Sequence, residues 1–292
     1  MSSCLICNNQ EWDKYYSYSD YDFLICKKCG LGKLSPQPTK EYLDKYYARV
    51  YRKNNKNEHV EDFALNYEQK RADIIIPFIK NNSNNLEVTM ALDVGCSTGT
   101  LLYNIKSRLN ATDCVGIELN ENYFSYAKQR SDLNLNSELS QNCALEDADL
   151  PMGSFDVVTL VHVLEHMPKP EESLEIIYDL LSDEGVFYLE VPDLYTPYSN
   201  LKNKYIAPYH LFYFNNSNLS FYLEKLGFSI IEKSKVSNTS CRFLLKKAKE
   251  NNKKLELSEN YYNDVIHSLK KYRFIKYPYI FFKQQVKRLV RK

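Results

Sequence analysis

Four short, nearly unbroken apolar runs punctuate the middle of this chain: Val88–Val94, Cys114–Leu119, Val157–Val161 and Val186–Val191. A strand covered on both faces needs no polar alternate, so such runs predict buried parallel strands. Between them the apolar residues recur at helical spacing. Leu101, Leu102, Ile105 and Leu109 share one face of a helix expected over Thr100–Leu109. Further helices are expected over Asn122–Ser131 and from Pro170 to about Leu181. Strands alternating with helices predict a doubly wound α/β sheet. Ser229–Val236 and Arg242–Lys247 alternate apolar and polar residues instead, which predicts a terminal antiparallel hairpin. Leu139–Ala144 is a weaker strand candidate.

The flanks read differently. Residues 1–35 alternate in places, as at Tyr15–Tyr21, and predict short ribbon strands. Pro36 and Pro38 open a linker, and residues 36–85 then predict two helices. One presents Tyr42, Leu43, Tyr46 and Tyr47; the other, over Phe63–Ile79, presents Leu65, Ile74, Ile75 and Phe78. A polar connector, Arg52–Asp62, lies between them. Residues 86–247 hold the predicted sheet, including a long Tyr- and Asn-rich connection, Leu194–Ala207, of the kind that faces a substrate. A capped helix is expected over Ser217–Leu226. Residues 248–292 form an extension, with a helix expected over Leu255–Leu269.

At 292 residues, 44% hydrophobic and 26% charged, the chain has the composition of a globular protein with room for one large core and an appendage. The net charge of +1 conceals an asymmetry: Lys246–Lys292 carries 14 Lys/Arg against 4 Asp/Glu, leaving the remainder acidic. An acidic body argues against a nucleic-acid partner. No 18-residue apolar run exists, so no membrane-spanning helix is expected. The start leads directly into paired cysteines, so no secretory signal is expected. The expected setting is the cytoplasm. The basic, aromatic stretch 272–292 is suited to peripheral contact with the inner, anionic membrane face. Subunit pairing stays open.

Two sets of residues carry candidate chemistry. Cys4-x-x-Cys7 and Cys26-x-x-Cys29 have the spacing of a four-cysteine zinc site, closed and therefore structural. The other set begins with Asp93-Val94-Gly95-Cys96-Ser97-Thr98-Gly99, where the glycines permit a tight turn. Glu118 follows Gly99 by 19 residues at the end of the next strand, the position of an acid that binds ribose hydroxyls. A dinucleotide pyrophosphate wants a third glycine, and Asp93 would repel it. Asp93 suits an ammonium group, so the residues favour S-adenosylmethionine over NAD.

LDVGCSTGTLL followed by VGIELN resembles the first two motifs of class I S-adenosylmethionine-dependent methyltransferases, and FDVV with LEH at Glu165-His166 resembles a later one. The resemblance runs from about Phe63 to Lys247. It implies a Rossmann-like, seven-stranded sheet, here with an N-terminal zinc ribbon and a C-terminal helical extension. It implies cofactor contacts from Asp93, Gly95, Cys96, Gly99, Glu118, Leu119, Ala144, Leu145 and Val161. Ala144 stands where the family has an acid. Tyr67, Arg71 and Tyr47 lie in the segment that covers the cofactor in such folds, although packing and surface roles account for them as well.

Methyl transfer to a hydroxyl benefits from a base. His210 follows the long connection and is the first candidate; His162, at a strand's carboxyl end, is the second. The segment YHLFYFN resembles a region of zinc-ribbon sugar C-methyltransferases, with Tyr209 in place of a glutamate. No segment here resembles their further C-terminal α/β domain. Both departures favour oxygen over carbon. The expected reaction is O-methylation of a small-molecule or glycan substrate, a sugar or sugar-derived intermediate of surface-glycan biosynthesis. Carbon methylation, RNA methylation and a non-catalytic scaffold remain the alternatives.

Overall fold

The computed structural model describes residues 2–46, 60–83, 86–199, 201, 205–234, 239–249 and 255–272. Tyr47, most of the polar connector, the hairpin tip at 235–238 and the basic stretch beyond Tyr272 lie outside the described residues.

Strands β1 (Trp12–Ser17), β2 (Asp22–Cys26) and β3 (Gly32–Ser35) form an antiparallel ribbon, with Trp12 opposite Cys26 and Asp22 opposite Ser35. Helix α1 (Lys40–Lys45) starts where the Thr39 side chain accepts the Tyr42 N–H, and α2 spans Val60–Asn82. There follow β4 (Met90–Val94), α3 (Thr100–Leu109), β5 (Asp113–Ile117), α4 (Glu121–Gln129), β6 (Phe155–Val161), α5 (Pro170–Leu180) and β7 (Leu181–Pro192). The chain continues through β8 (Phe212–Tyr213), α6 (Asn216–Lys225), β9 (Phe228–Lys233), β10 (Ser240–Lys247) and α7 (Tyr261–Lys271).

The main sheet has six strands in the order β5-β4-β6-β7-β10-β9. Its first four are parallel; β10 runs antiparallel to both β7 and β9. A seventh strand was expected from Leu139–Ala144. That segment makes a single bridge, Gln141 to Ile117. Polar side chains before and within it capture nearby backbone groups: Asn136 Oδ1 accepts the N–H groups of Glu138 and Leu139, both at 3.0 Å, and Gln141 Nε2 donates to the Leu139 carbonyl at 3.1 Å. Donors held this way are not offered to a ladder.

The ribbon is tied to the rest of the chain. β8 pairs with β3, placing Phe212 opposite Lys33 and Tyr213 opposite Gly32. Asn215 starts α6 with a capping box, worth about 1 kcal/mol, and the neighbouring Asn218 amide donates to the Cys29 carbonyl. Part of the connection Leu194–Ala207 packs inward, while Tyr198 is exposed. Leu194, Tyr195, Leu201, Tyr205 and Ile206 are buried with Phe23, Ile25 and Leu34 of the ribbon. The extension is shorter in helix than expected. Ser258 accepts the Asn260 N–H in a polar turn, and α7 begins only at Tyr261. Its Val265 and Leu269 join the ribbon core, and the Tyr262 hydroxyl donates to Asp13 at 2.8 Å.

Candidate functional site

Parallel strands leave their carboxyl ends on one edge of the sheet, and there β4 turns through Gly95 (φ +79) and Gly99 (φ +73). The Gly95 N–H donates to the Ile117 carbonyl at 2.7 Å. A Cβ on Gly95 would sit 2.5 Å from Val163, and one on Gly99 would sit 2.5 Å from Leu133. The glycines therefore serve backbone conformation and close packing within the chain itself.

A cavity of about 770 Å3 opens above this turn. Asp93, Gly95, Cys96, Glu118, Leu119, Ala144, Leu145 and Val161 all line it, as does His162; Gly99 stands one step back, ahead of α3. Asp93 is buried and accepts the Thr159 hydroxyl at 2.6 Å. Burial pushes its carboxyl up to about 7, against the pull of that hydrogen bond. Glu118 accepts the backbone N–H of Ser97 at 3.0 Å and of Asn120 at 2.8 Å. Helix α2 closes one side with Tyr67, Glu68, Arg71 and Ile75. The Glu68 carboxylate accepts the Ser97 hydroxyl at 2.8 Å and the Thr98 hydroxyl, and the Arg71 guanidinium lies 4.8 Å from the Tyr67 ring centre. No sequence pattern marked Glu68.

The opposite wall is a network of charge. His162 adopts φ +55 at the end of β6. Its Nε2 lies 3.3 Å from Glu190 and its Nδ1 lies 3.4 Å from Glu165. Burial disfavours the imidazolium, but the two carboxylates outweigh it and raise the His162 pKa. Glu190 in turn accepts the Tyr188 hydroxyl at 2.7 Å and Arg242 Nε at 3.0 Å. Neither Glu165 oxygen has a hydrogen-bond partner among the described residues; the nearest basic groups are His162 at 3.4 Å and His166 at 3.6 Å. Burial opposes ionisation of Glu165, yet the histidines hold its pKa at about 2. Glu165 and Glu190 escaped the sequence reading. A lone acid inside the apolar run Val186–Val191 was the available signal.

His210 is placed differently from His162. It is buried behind His166, with ring centres 4.7 Å apart, and it is absent from the cavity lining. Burial, with His166 beside it, holds its pKa down at about 3, so its imidazole is neutral in ordinary buffers. His166 lines the cavity and donates Nδ1–H to the Tyr209 carbonyl at 2.8 Å, in the tautomer that contact requires.

The four ribbon cysteines converge at the far side of β3, with their sulfur atoms all within 4.8 Å of one another. Cys4 and Cys29 are 3.5 Å apart and Cys7 and Cys26 are 3.6 Å apart, with no disulfide. Sulfur ligands about 2.3 Å from a tetrahedral zinc lie roughly 3.8 Å from each other, so the set fits that ion. Glu165, His166 and His210 also bring ligating atoms within 4.8 Å of one another.

Residues 67–233, more than half of the chain, match a family described as a methyltransferase domain. The chain belongs to that methyltransferase family. Similar proteins include the mitochondrial ubiquinone biosynthesis O-methyltransferase of Saccharomyces cerevisiae, 30% identical over 38% of this chain and 36% of that one. The ubiquinone biosynthesis O-methyltransferase of Glaesserella parasuis is 26% identical over 39% of this chain and 50% of its own length. The chain thus spans half or less of these curated relatives. Among solved structures, an S-adenosylmethionine-dependent methyltransferase from Leishmania major superposes with a TM-score of 0.51 at 12% identity, covering 70% of this chain and 82% of that one. The cyclase SpnF gives 0.50 at 14% identity, over 62% and 81%. One fold hosting both activities means that the reaction must be argued from the site. No helix among the described residues of this methyltransferase-family chain is long and apolar enough to cross a membrane.

Proposed function

We propose that this protein transfers the methyl group of S-adenosylmethionine to a hydroxyl oxygen of a polar small molecule, a sugar or sugar-derived intermediate of surface-glycan biosynthesis. The observation that carries the reading is His162, a cavity-lining imidazole bracketed by two buried carboxylates. When bound, the cofactor supplies an electrophilic methyl group on sulfur. Asp93 would pair with its ammonium group, Arg71 with its carboxylate, and Glu118 would accept the ribose hydroxyls. Leu119, exposed at the cavity wall, and Ala144 and Leu145 flank the adenine. His162 takes the acceptor's proton on a ring nitrogen that must first turn from its carboxylate toward the cavity, and Glu165 and Glu190 stabilise the resulting imidazolium. His210 packs behind His166 and maintains that wall.

The oxygen target is supported by the relatives named for O-methylation. Their names also favour a second acceptor class, a phenolic hydroxyl, which the apolar wall of Leu43, Met167 and Leu211 would accommodate. A transfer screen with labelled S-adenosylmethionine against nucleotide sugars, glycans and phenols separates the two. Label on phenols alone would replace the sugar reading, and label on structured RNA alone would remove both. The cysteine set holds one structural zinc in this proposal. The basic stretch from 272 to 292 would hold the enzyme near anionic carriers or the inner membrane face.

A further inference from the structure

A second cavity, of about 250 Å3, is lined by the ribbon, Gln37 and Phe212 of β8. Ser2, Ser3, Trp12, Lys33, Ser35 and Gln37 line it, and Gln37 lines the main cavity too. Lys33 dominates its chemistry. The side chain is 7% exposed, and its Nζ sits 3.9 Å from the Trp12 ring centre and donates to the Ser2 hydroxyl at 2.9 Å. No carboxylate among the described residues lies within ion-pair distance of it, and the negative charge acting on it is that of the ribbon cysteines Cys4 and Cys26. A buried ammonium has three donors and is expensive to leave without an anion. Here one donor meets a hydroxyl and the Trp12 face supports the charge. Ser3, Ser35 and Gln37 add neutral polar side chains to the lining of the same small space.

The position is also informative. Lys33 is directly opposite Phe212 in the β3–β8 pair, the Leu34 N–H donates to the Leu211 carbonyl at 3.3 Å, and Gln37 Nε2 donates to that carbonyl at 3.4 Å. Leu211 lines the main cavity. The two-residue β3–β8 pairing thus holds the donor set beside Leu211 of the main cavity. We infer that the second cavity is a subsite for an anionic group, phosphate or carboxylate, carried by the acceptor, with Lys33 as its counter-ion. The ribbon then selects acceptors by charge, while the main sheet performs the transfer. A volume of this size takes a phosphate or carboxylate with its linking atoms.

The inference deepens the proposed reaction, but its binding arm is independent of turnover. Calorimetry of the full, zinc-loaded chain uses inorganic phosphate, acetate and a hexose 1-phosphate as probes, beside the uncharged hexose. We expect salt-sensitive binding of the anions, tightest for the hexose 1-phosphate, and none of the uncharged hexose. Lys33→Met should weaken anion binding roughly tenfold or more, the worth of one charge-assisted contact, with S-adenosylmethionine affinity and zinc content unchanged. A Gln37→Ala, Ser35→Ala double variant, which retains the ammonium, should weaken it less and guards against a folding defect in Lys33→Met. Equal binding of inorganic phosphate and hexose 1-phosphate would make this a free-anion site and overturn the acceptor assignment. Absence of anion binding at millimolar concentration, or undiminished binding in Lys33→Met, would overturn the subsite itself. Loss of methyl transfer to every acceptor with anion binding intact would count against the proposed reaction alone.

Discussion

The Glu118 carboxylate accepts the backbone N–H of Ser97 at 3.0 Å, fastening the end of β5 to the turn that follows β4. Ser97 has φ +49, in the left-handed region that a serine seldom adopts. The acid assigned to the ribose thus also braces the turn over which the cofactor would lie.

Glu118→Ala should raise the S-adenosylmethionine dissociation constant roughly tenfold or more, from the loss of charged hydrogen bonds worth about 1.5–3 kcal/mol. Glu118→Gln retains an acceptor oxygen and should lose less. Calorimetric titration checks both, and an unchanged affinity in the alanine variant would remove the ribose assignment.

Cofactor affinity should rise with pH. Burial lifts Asp93 to about 7 in the free protein, so below that pH the group is protonated and must ionise before it pairs with an ammonium. Affinity should fall by about tenfold per pH unit below 7 and level off above it. Asp93→Asn should bind weakly at every pH. A wild-type profile that is flat between acid and neutral pH would refute the pairing.

His162→Ala should bind cofactor normally and lose roughly 10²–10⁴ in turnover, the usual worth of a general base. Because two carboxylates raise the His162 pKa, the rising limb of the pH–rate profile should lie above the ordinary histidine value. Glu190→Gln removes one of these carboxylates and should move the limb to lower pH. If His210→Ala loses turnover while His162→Ala does not, the base belongs at His210.

Metal analysis of protein purified without chelator should return one zinc per chain. Cys26→Ser should disturb the ribbon more than cofactor binding, since the described lining of the main cavity includes no cysteine of this set. Because β3 pairs with β8 beside Leu211, the same variant should raise the acceptor KM. A metal-free wild-type protein with an intact ribbon would rule out the zinc assignment.

The cofactor half and the cysteine pairs were legible because their geometry is local. Asp93 to Glu118 is one strand–turn–helix–strand unit, in which spacing along the chain sets spacing in space. The C-x-x-C pairs similarly bring two thiols together within each turn. The weak strand at Leu139–Ala144 was misjudged because apolar content does not reveal how Asn136 spends its side chain on backbone donors.

The acceptor wall was illegible for the opposite reason. His162 and Glu165 follow β6, Glu190 comes from β7, Arg242 from β10 and Arg71 from α2; none is near the others in sequence except the first two. They meet only because the sheet order sets β6, β7 and β10 side by side and folds α2 across their ends. His210 follows a long connection in the sequence but is buried in the fold. Its burial was decided by the pairing of β8 with the ribbon, which turns Phe212 and Tyr213 into sheet and draws the preceding histidine behind His166. Residue type and local spacing determined which chemistry was available. Strand order determined which charges face one another, because a buried carboxylate finds its partner across the sheet and not along the chain.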